Sequence, residues 1–199
     1  MCNSGGWAVA LCGIACCGGC DRKDLGKISL GGGVRQVRGE YLIKKTKILL
    51  PVAELKWQQE IKKDLDVYAR LQAVGVSSNL GETLLGSEAK GEFQSLGIGI
   101  NYYPFATRLI GLDLGTEIYR GSYRLAEDVG PVHLQIDDNF CGGGANVGGI
   151  GELKIGQWQD MELLWASGRN FTDTCGNRGG ADLDGWYFIL GAKIALGSK

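Results

Sequence analysis

The sequence predicts an all-β fold, a closed antiparallel up-and-down barrel of about eight strands. Three observations predict it. Apolar residues recur with period two along most of the chain. Glycine is abundant (34 residues) and proline scarce (3), without the triplet period of collagen. The connections between alternating runs are short at one end and mostly long at the other, as in an up-and-down barrel.

The expected strands cover 28–43, 48–61, 66–77, 90–103, 108–122, 146–155, 158–171 and 185–196. The first follows the period of two. The second is the weakest, because Pro51 stands where the first turn of an amphipathic helix would accept it. Glu54, Lys56, Gln58 and Glu60 opposing Ala53, Leu55, Trp57 and Ile61 favours strand. The third again follows the period. In the fourth, Leu96, Ile98, Ile100 and Tyr102 oppose Ser95, Gly97, Gly99 and Asn101. Pro104 then separates it from the fifth, because proline cannot sit inside a paired strand. There Ile110, Leu112, Leu114 and Ile118 oppose Gly111, Asp113, Gly115 and Glu117. Gly156 marks a tight hairpin between the sixth and seventh. In the eighth, Trp186, Phe188, Leu190, Ala192 and Ile194 oppose Tyr187, Ile189, Gly191 and Lys193. Connections at 62–64, 104–107 and 156–157 are short, those at 78–89, 123–145 and 172–184 long, and 44–47 is a short exception among the latter.

The second face of the strands decides between a soluble sheet and a wall facing lipid. It carries glycines and charges of both signs: Glu54, Lys56, Glu60, Asp66, Arg70, Glu92, Asp113, Glu117, Glu152, Lys154, Asp160, Glu162 and Lys193. A narrow barrel must fill its interior with side chains. Small glycines leave room for long charged neighbours, and paired charges avoid the cost of an isolated buried ion. The barrel is therefore expected to be transmembrane. Leu96, Ile98, Ile100, Leu112, Leu114, Leu163, Trp165, Phe188 and Leu190 should point outward. Glu54, Glu92, Asp113, Glu117, Glu152, Lys154 and Lys193 should point inward. Tyr102, Tyr103, Phe105 and Trp158 near the short turns, and Tyr119, Tyr123, Phe171 and Trp186 near the long loops, suggest two interfacial belts.

The run GIGINYYPFATRLIGLDLGTEIYRGSYR and the closing DLDGWYFILGAKIALG resemble strands of small bacterial outer-membrane barrels of the OmpA and OmpX type. The resemblance is one of pattern over roughly 28–196 and departs at the close, where such barrels often end on an aromatic residue. It implies an eight-stranded barrel in the bacterial outer membrane, contacting lipid.

Residues 1–25 form a separate hydrophobic, cysteine-rich leader, and 26–199 the barrel domain. Trp7 to Cys17 is an apolar run of signal-peptide length, without the usual early Lys or Arg. Gly13-Ile14-Ala15-Cys16 loosely matches a lipoprotein signal, making Cys16 a lipidation candidate. Cys17-Gly-Gly-Cys20 has redox or zinc spacing but no second pair.

A formal net charge of -1 gives no footprint for nucleic acid. His133 is the single histidine, near Ser122, Asp137 and Asp138, without a recognisable catalytic spacing. Glu127, Asp128, Asp137 and Asp138 lack the order of a calcium loop. Asn170-Phe171-Thr172 is a formal glycosylation triplet. No catalytic, cofactor or metal residue is assigned. Cys141 and Cys175, each followed by Gly, fall in two long loops at the same end and are a disulfide candidate. The expected role is a monomeric barrel, structural or binding an extracellular ligand through its loops. The alternatives are a lipid-modifying membrane enzyme and a narrow, porin-like pore.

Overall fold

The structure, a computed structural model, describes residues 26–41, 44–76, 88–105, 107–129, 132–155, 161–175, 181–182 and 184–195. Its strands are β1 (Lys27–Tyr41), β2 (Lys44–Lys62), β3 (Leu65–Val76), β4 (Glu88–Tyr102), β5 (Gly111–Val129), β6 (Val132–Lys154), β7 (Met161–Cys175), the two-residue β8 (Ala181–Asp182) and β9 (Gly185–Ala195). Every pairing is antiparallel, in the order β2-β3-β4-β5-β6-β7-β9-β1, and β1 returns to β2. The eight long strands thus form a closed barrel, with β8 paired to β1 beside Arg38 and Gly39. Closure leaves no unpaired edge in the wall, the condition for a β-structure to stand in lipid. Residues 51–62 are strand throughout, not helix, and pair with β1 and β3.

The polarity of the wall is inverted relative to a soluble protein. Leu30, Ile98, Leu112 and Leu190 lie outside, about half or more exposed (66%, 52%, 49% and 49%). Arg35, Lys56 and Lys193 lie inside, at 1–2%. The alternation of the sequence is therefore one of lipid-side and lumen-side positions. All nine residues expected to point outward do so by register, and Glu54, Asp113, Glu117, Glu152 and Lys193 are buried inside.

Glu92 and Lys154 differ. Phe93 and Ser95 are buried, so Glu92 has the outward parity of Leu96 and is exposed. Lys154 shares the inward parity of Glu152 but ends β6, past the last filled layer, and is exposed to solvent. The aromatic belts are also revised. Tyr102, Phe105, Phe171 and Trp186 are exposed on the wall or its rim, whereas Tyr103 and Tyr119 are buried within. Trp158 lies outside the described residues.

The largest correction concerns the long loops. The expected 123–145 loop is a continuation of β5 and β6, paired residue by residue up to Val129↔Val132. Likewise 44–47 belongs to β2, opposite 38–41 of β1. Their composition reads as loop because outside a membrane a paired strand has no need of an apolar face.

Candidate functional site: a filled lumen beneath projecting strands

Inward positions carry large side chains on some strands and glycine on their neighbours, so that the large ones lie over the glycines. Tyr68 lies across Gly99 and Gly115: a Cβ at Gly115 would sit 2.4 Å from the Tyr68 hydroxyl. Arg70 similarly occupies the space beside Gly97.

At the short-turn end the floor of the lumen is an ionic cluster. Lys193 Nζ lies 2.6 Å from Glu152 and 3.0 Å from Glu162, and Lys27 is 3.2 Å from Glu162. Tyr103 and Arg108 are held at this end by hydrogen bonds of 2.8 Å from Tyr103 N to Asp64 O and from Glu152 N to Arg108 O. Tyr103 donates to Glu152. Arg108 caps the Tyr103 ring at 4.1 Å and pairs with Glu60, Asp66 and Glu152. This explains why Tyr103 leaves the aromatic belt: its hydroxyl is a partner for a buried carboxylate.

The middle layer joins opposite walls. Asp113 accepts from Tyr187 (2.9 Å) and Asn146 (3.1 Å). Arg70 donates to Asn146 (3.0 Å) and Glu117 (3.4 Å). Arg35 donates to Gln72 (2.8 Å) and Glu117 (3.1 Å), and Gln72 donates to Glu54 (2.7 Å). Lys56 sits 3.9 Å above the Tyr68 ring and donates to Asn101. Each of these buried acids has a basic, amide or phenolic donor, which is what makes a charged lumen tolerable.

Above it, Val52, Val74, Phe93, Tyr119 and Phe140 form an apolar roof, with Leu50 packed against it. Tyr119 and Phe140 meet at 6.1 Å between ring centroids. The floor, middle and roof line the described interior with buried side chains from end to end.

The outer wall changes character along β4 and β5. Tyr102↔Leu112, Ile100↔Leu114, Ile98↔Thr116 and Leu96↔Ile118 make an almost wholly apolar band. The next outward pairs, Gln94↔Arg120 and Glu92↔Ser122, are polar, and pairing continues to Glu88↔Ala126. From Ile118 to Val129, β5 runs on for roughly 35 Å of extended chain. The β4–β5–β6 sheet therefore projects well past the apolar band.

The projecting sheet holds many of the residues singled out in the sequence. Glu127, Asp128, His133, Asp137 and Asp138 occupy strand positions on β5 and β6, not a loop. Cys141 is on β6, exposed, and its register partner is Cys175, the last residue of β7. Cys16 lies outside the described residues. Asn170 is buried in the lumen. Among the described residues, no group of three or more His, Cys, Asp or Glu is placed to hold a metal ion. No helix there is long and apolar enough to cross a membrane, a property these strands do not need.

Sequence reasoning missed Arg35, Tyr68 and Arg108 as parts of the ionic filling. For Arg35 the signal is present in Ser29-x-Gly31-x-Gly33-x-Arg35, a small and polar face opposite Ile28, Leu30 and Val34. Arg108 had no such signal, because it lies in the turn below the strands.

No protein-family model matches the chain, and no curated protein does. Solved structures do. Ail, the attachment invasion locus protein of Yersinia pestis, superposes with a TM-score of 0.54 at 13% identity, over 86% of this chain and 99% of that one. Ail in complex with the heparin analogue sucrose octasulfate gives 0.51 at 12% identity, over 86% and 99%. A major outer membrane protein from Thermus thermophilus gives 0.48 at 13% identity, over 85% and 99%. At such identities the similarity is one of fold, and the fold shared with Ail is the small outer-membrane barrel.

Proposed function

We propose that this chain is a bacterial outer-membrane protein with a surface-interaction role. It sits in lipid as a plugged, monomeric barrel and presents its projecting strands to an extracellular ligand. Residues 1–25 serve as its export leader, and Cys16 is the position open to acylation. The observation that carries the reading is the break in the outer wall between Leu96↔Ile118 and Gln94↔Arg120. Below the break the wall is fit for hydrocarbon. Above it the same strands continue with polar outward residues, into water. The filled lumen argues against a conducting pore, and long strands rising above the bilayer offer a binding surface instead.

Cell fractionation with a heat-modifiability gel tests the location, since a folded barrel migrates differently before boiling. The protein is expected in the outer-membrane fraction, and recovery as a soluble protein would overturn the proposal. Planar-bilayer recording is expected to show no steady conductance. The heparin analogue bound to Ail makes sulfated sugars the first ligands to screen.

A further inference from the structure

Among the described residues the β6–β7 ladder reaches Cys141↔Cys175, and β6 is paired to β5 up to Val132. The register partner of Cys141 is therefore the other cysteine of the barrel domain. Directly opposite residues of an antiparallel pair have Cα atoms about 4.5 Å or 5.5 Å apart, depending on whether they exchange hydrogen bonds. Both values fall in the range of about 4.4–6.8 Å that a disulfide spans. Cys141 is exposed, next to the buried Phe140, and directly opposite positions of a ladder share a face of the sheet. Arg120 is the β5 partner of Cys141 and belongs to the first polar pair above the apolar band. The pair thus stands at the outer rim, clear of hydrocarbon.

We propose that Cys141 and Cys175 are joined by a disulfide that ties β6 to β7 just above the apolar band. The proposal rests on the outer-membrane reading for its oxidising surroundings. The two thiols lose two protons and two electrons to an oxidised protein dithiol of the cell envelope. One cysteine, as thiolate, attacks that protein's disulfide to give a mixed disulfide. The second displaces it, forming the Cys141–Cys175 bond and releasing the oxidant as its dithiol.

The test is peptide mapping by mass spectrometry of protein taken from outer membranes and alkylated without reductant. A linked peptide joining the segments around 141 and 175 is expected, disappearing in Cys175→Ser and after reduction. Mapping also separates this bond from any formed by the five cysteines of the leader. Both positions alkylated in the unreduced protein would overturn the proposal. A parallel arm oxidises purified, reduced protein, folded in detergent, with oxidised glutathione. If cells give free thiols but glutathione gives the bond, the assigned compartment has failed. If neither does, the β6–β7 register has failed.

Discussion

Arg35 and Glu117 meet across the full width of the lumen: the guanidinium from β1 donates to the carboxylate from β5 at 3.1 Å, and both are buried. In the order of the barrel, β1 and β5 are as far apart as two strands can be. The pair is a crossbeam between opposite walls. Arg70 reaches the same carboxylate from β3, which makes Glu117 the anion on which two cations depend.

Glu117→Ala is therefore expected to destabilise the barrel by about 3–5 kcal/mol, because it leaves buried cations uncompensated. Replacing both ends by apolar residues of similar size, Arg35→Met with Glu117→Leu, removes the charge with its partner and is expected to cost less than the single change. Urea unfolding from lipid vesicles, run as a double-mutant cycle, measures this. A single variant of wild-type stability would show that the crossbeam contributes nothing.

The outer wall gives a depth-dependent prediction. The outward residues of the β5 region run from Ile110 to Ile118, with Leu114 at the centre. Leu114→Arg is expected to cost about 2–4 kcal/mol, the value for a charge at the bilayer midplane. Gln94→Arg, one step above the band, is expected to cost about 0–1 kcal/mol. Equal effects at the two positions, measured by unfolding from vesicles, would remove the lipid boundary from where the sequence of outward residues places it.

What was legible in the sequence follows from what the membrane demands of it. Leu96 to Tyr102 alternates with Ser95 to Asn101 because one side meets hydrocarbon and the other a charged lumen, so strand, face and register can all be read there. Glu92 is misplaced when charge alone marks the interior, whereas its parity with Leu96 puts it on the wall above the lipid. Beyond Arg120 the alternation stops, although pairing continues to Val129. A strand in water on both sides leaves no period behind, and the run Cys141-Gly-Gly-Gly-Ala145 resembles a loop by composition. Composition puts the two candidate cysteines in separate loops, yet the structure sets both on adjoining strands. The ionic plug was half visible: Asp113 and Glu117 stood out as charges opposite leucine and isoleucine, while their partners Tyr187 and Arg35 depend on which walls face each other.

Gly115 tests whether the lumen is packed or merely lined. A Cβ there would approach the Tyr68 hydroxyl to 2.4 Å and Asn146 Oδ1 to 2.6 Å. Gly115→Ala is expected to destabilise by about 1–3 kcal/mol through overpacking. Adding Tyr68→Ala should return part of that loss by clearing the space, although Ile98 O remains 2.8 Å away. If Gly115→Ala unfolds from vesicles at the wild-type urea midpoint, the plug has slack that the structure does not show.

The cysteine pair makes a thermodynamic prediction as well as a chemical one. A bond between positions 141 and 175 closes a ring that holds the membrane-crossing parts of β6 and β7. For a loop of that length, restriction of the unfolded chain amounts to about 3–4 kcal/mol. Reduction and Cys175→Ser should each lower stability by that order, and reduction should add nothing to the variant. The effect on the folded state should be local. Above Cys141, residues 132–140 of β6 lie beyond the bond, paired to β5. Hydrogen exchange there is expected to rise on reduction, while the amides of Leu112 to Ile118, within the closed wall, keep their protection. A uniform rise through both segments would mean that the bond supports the barrel as a whole and not the strands beyond it.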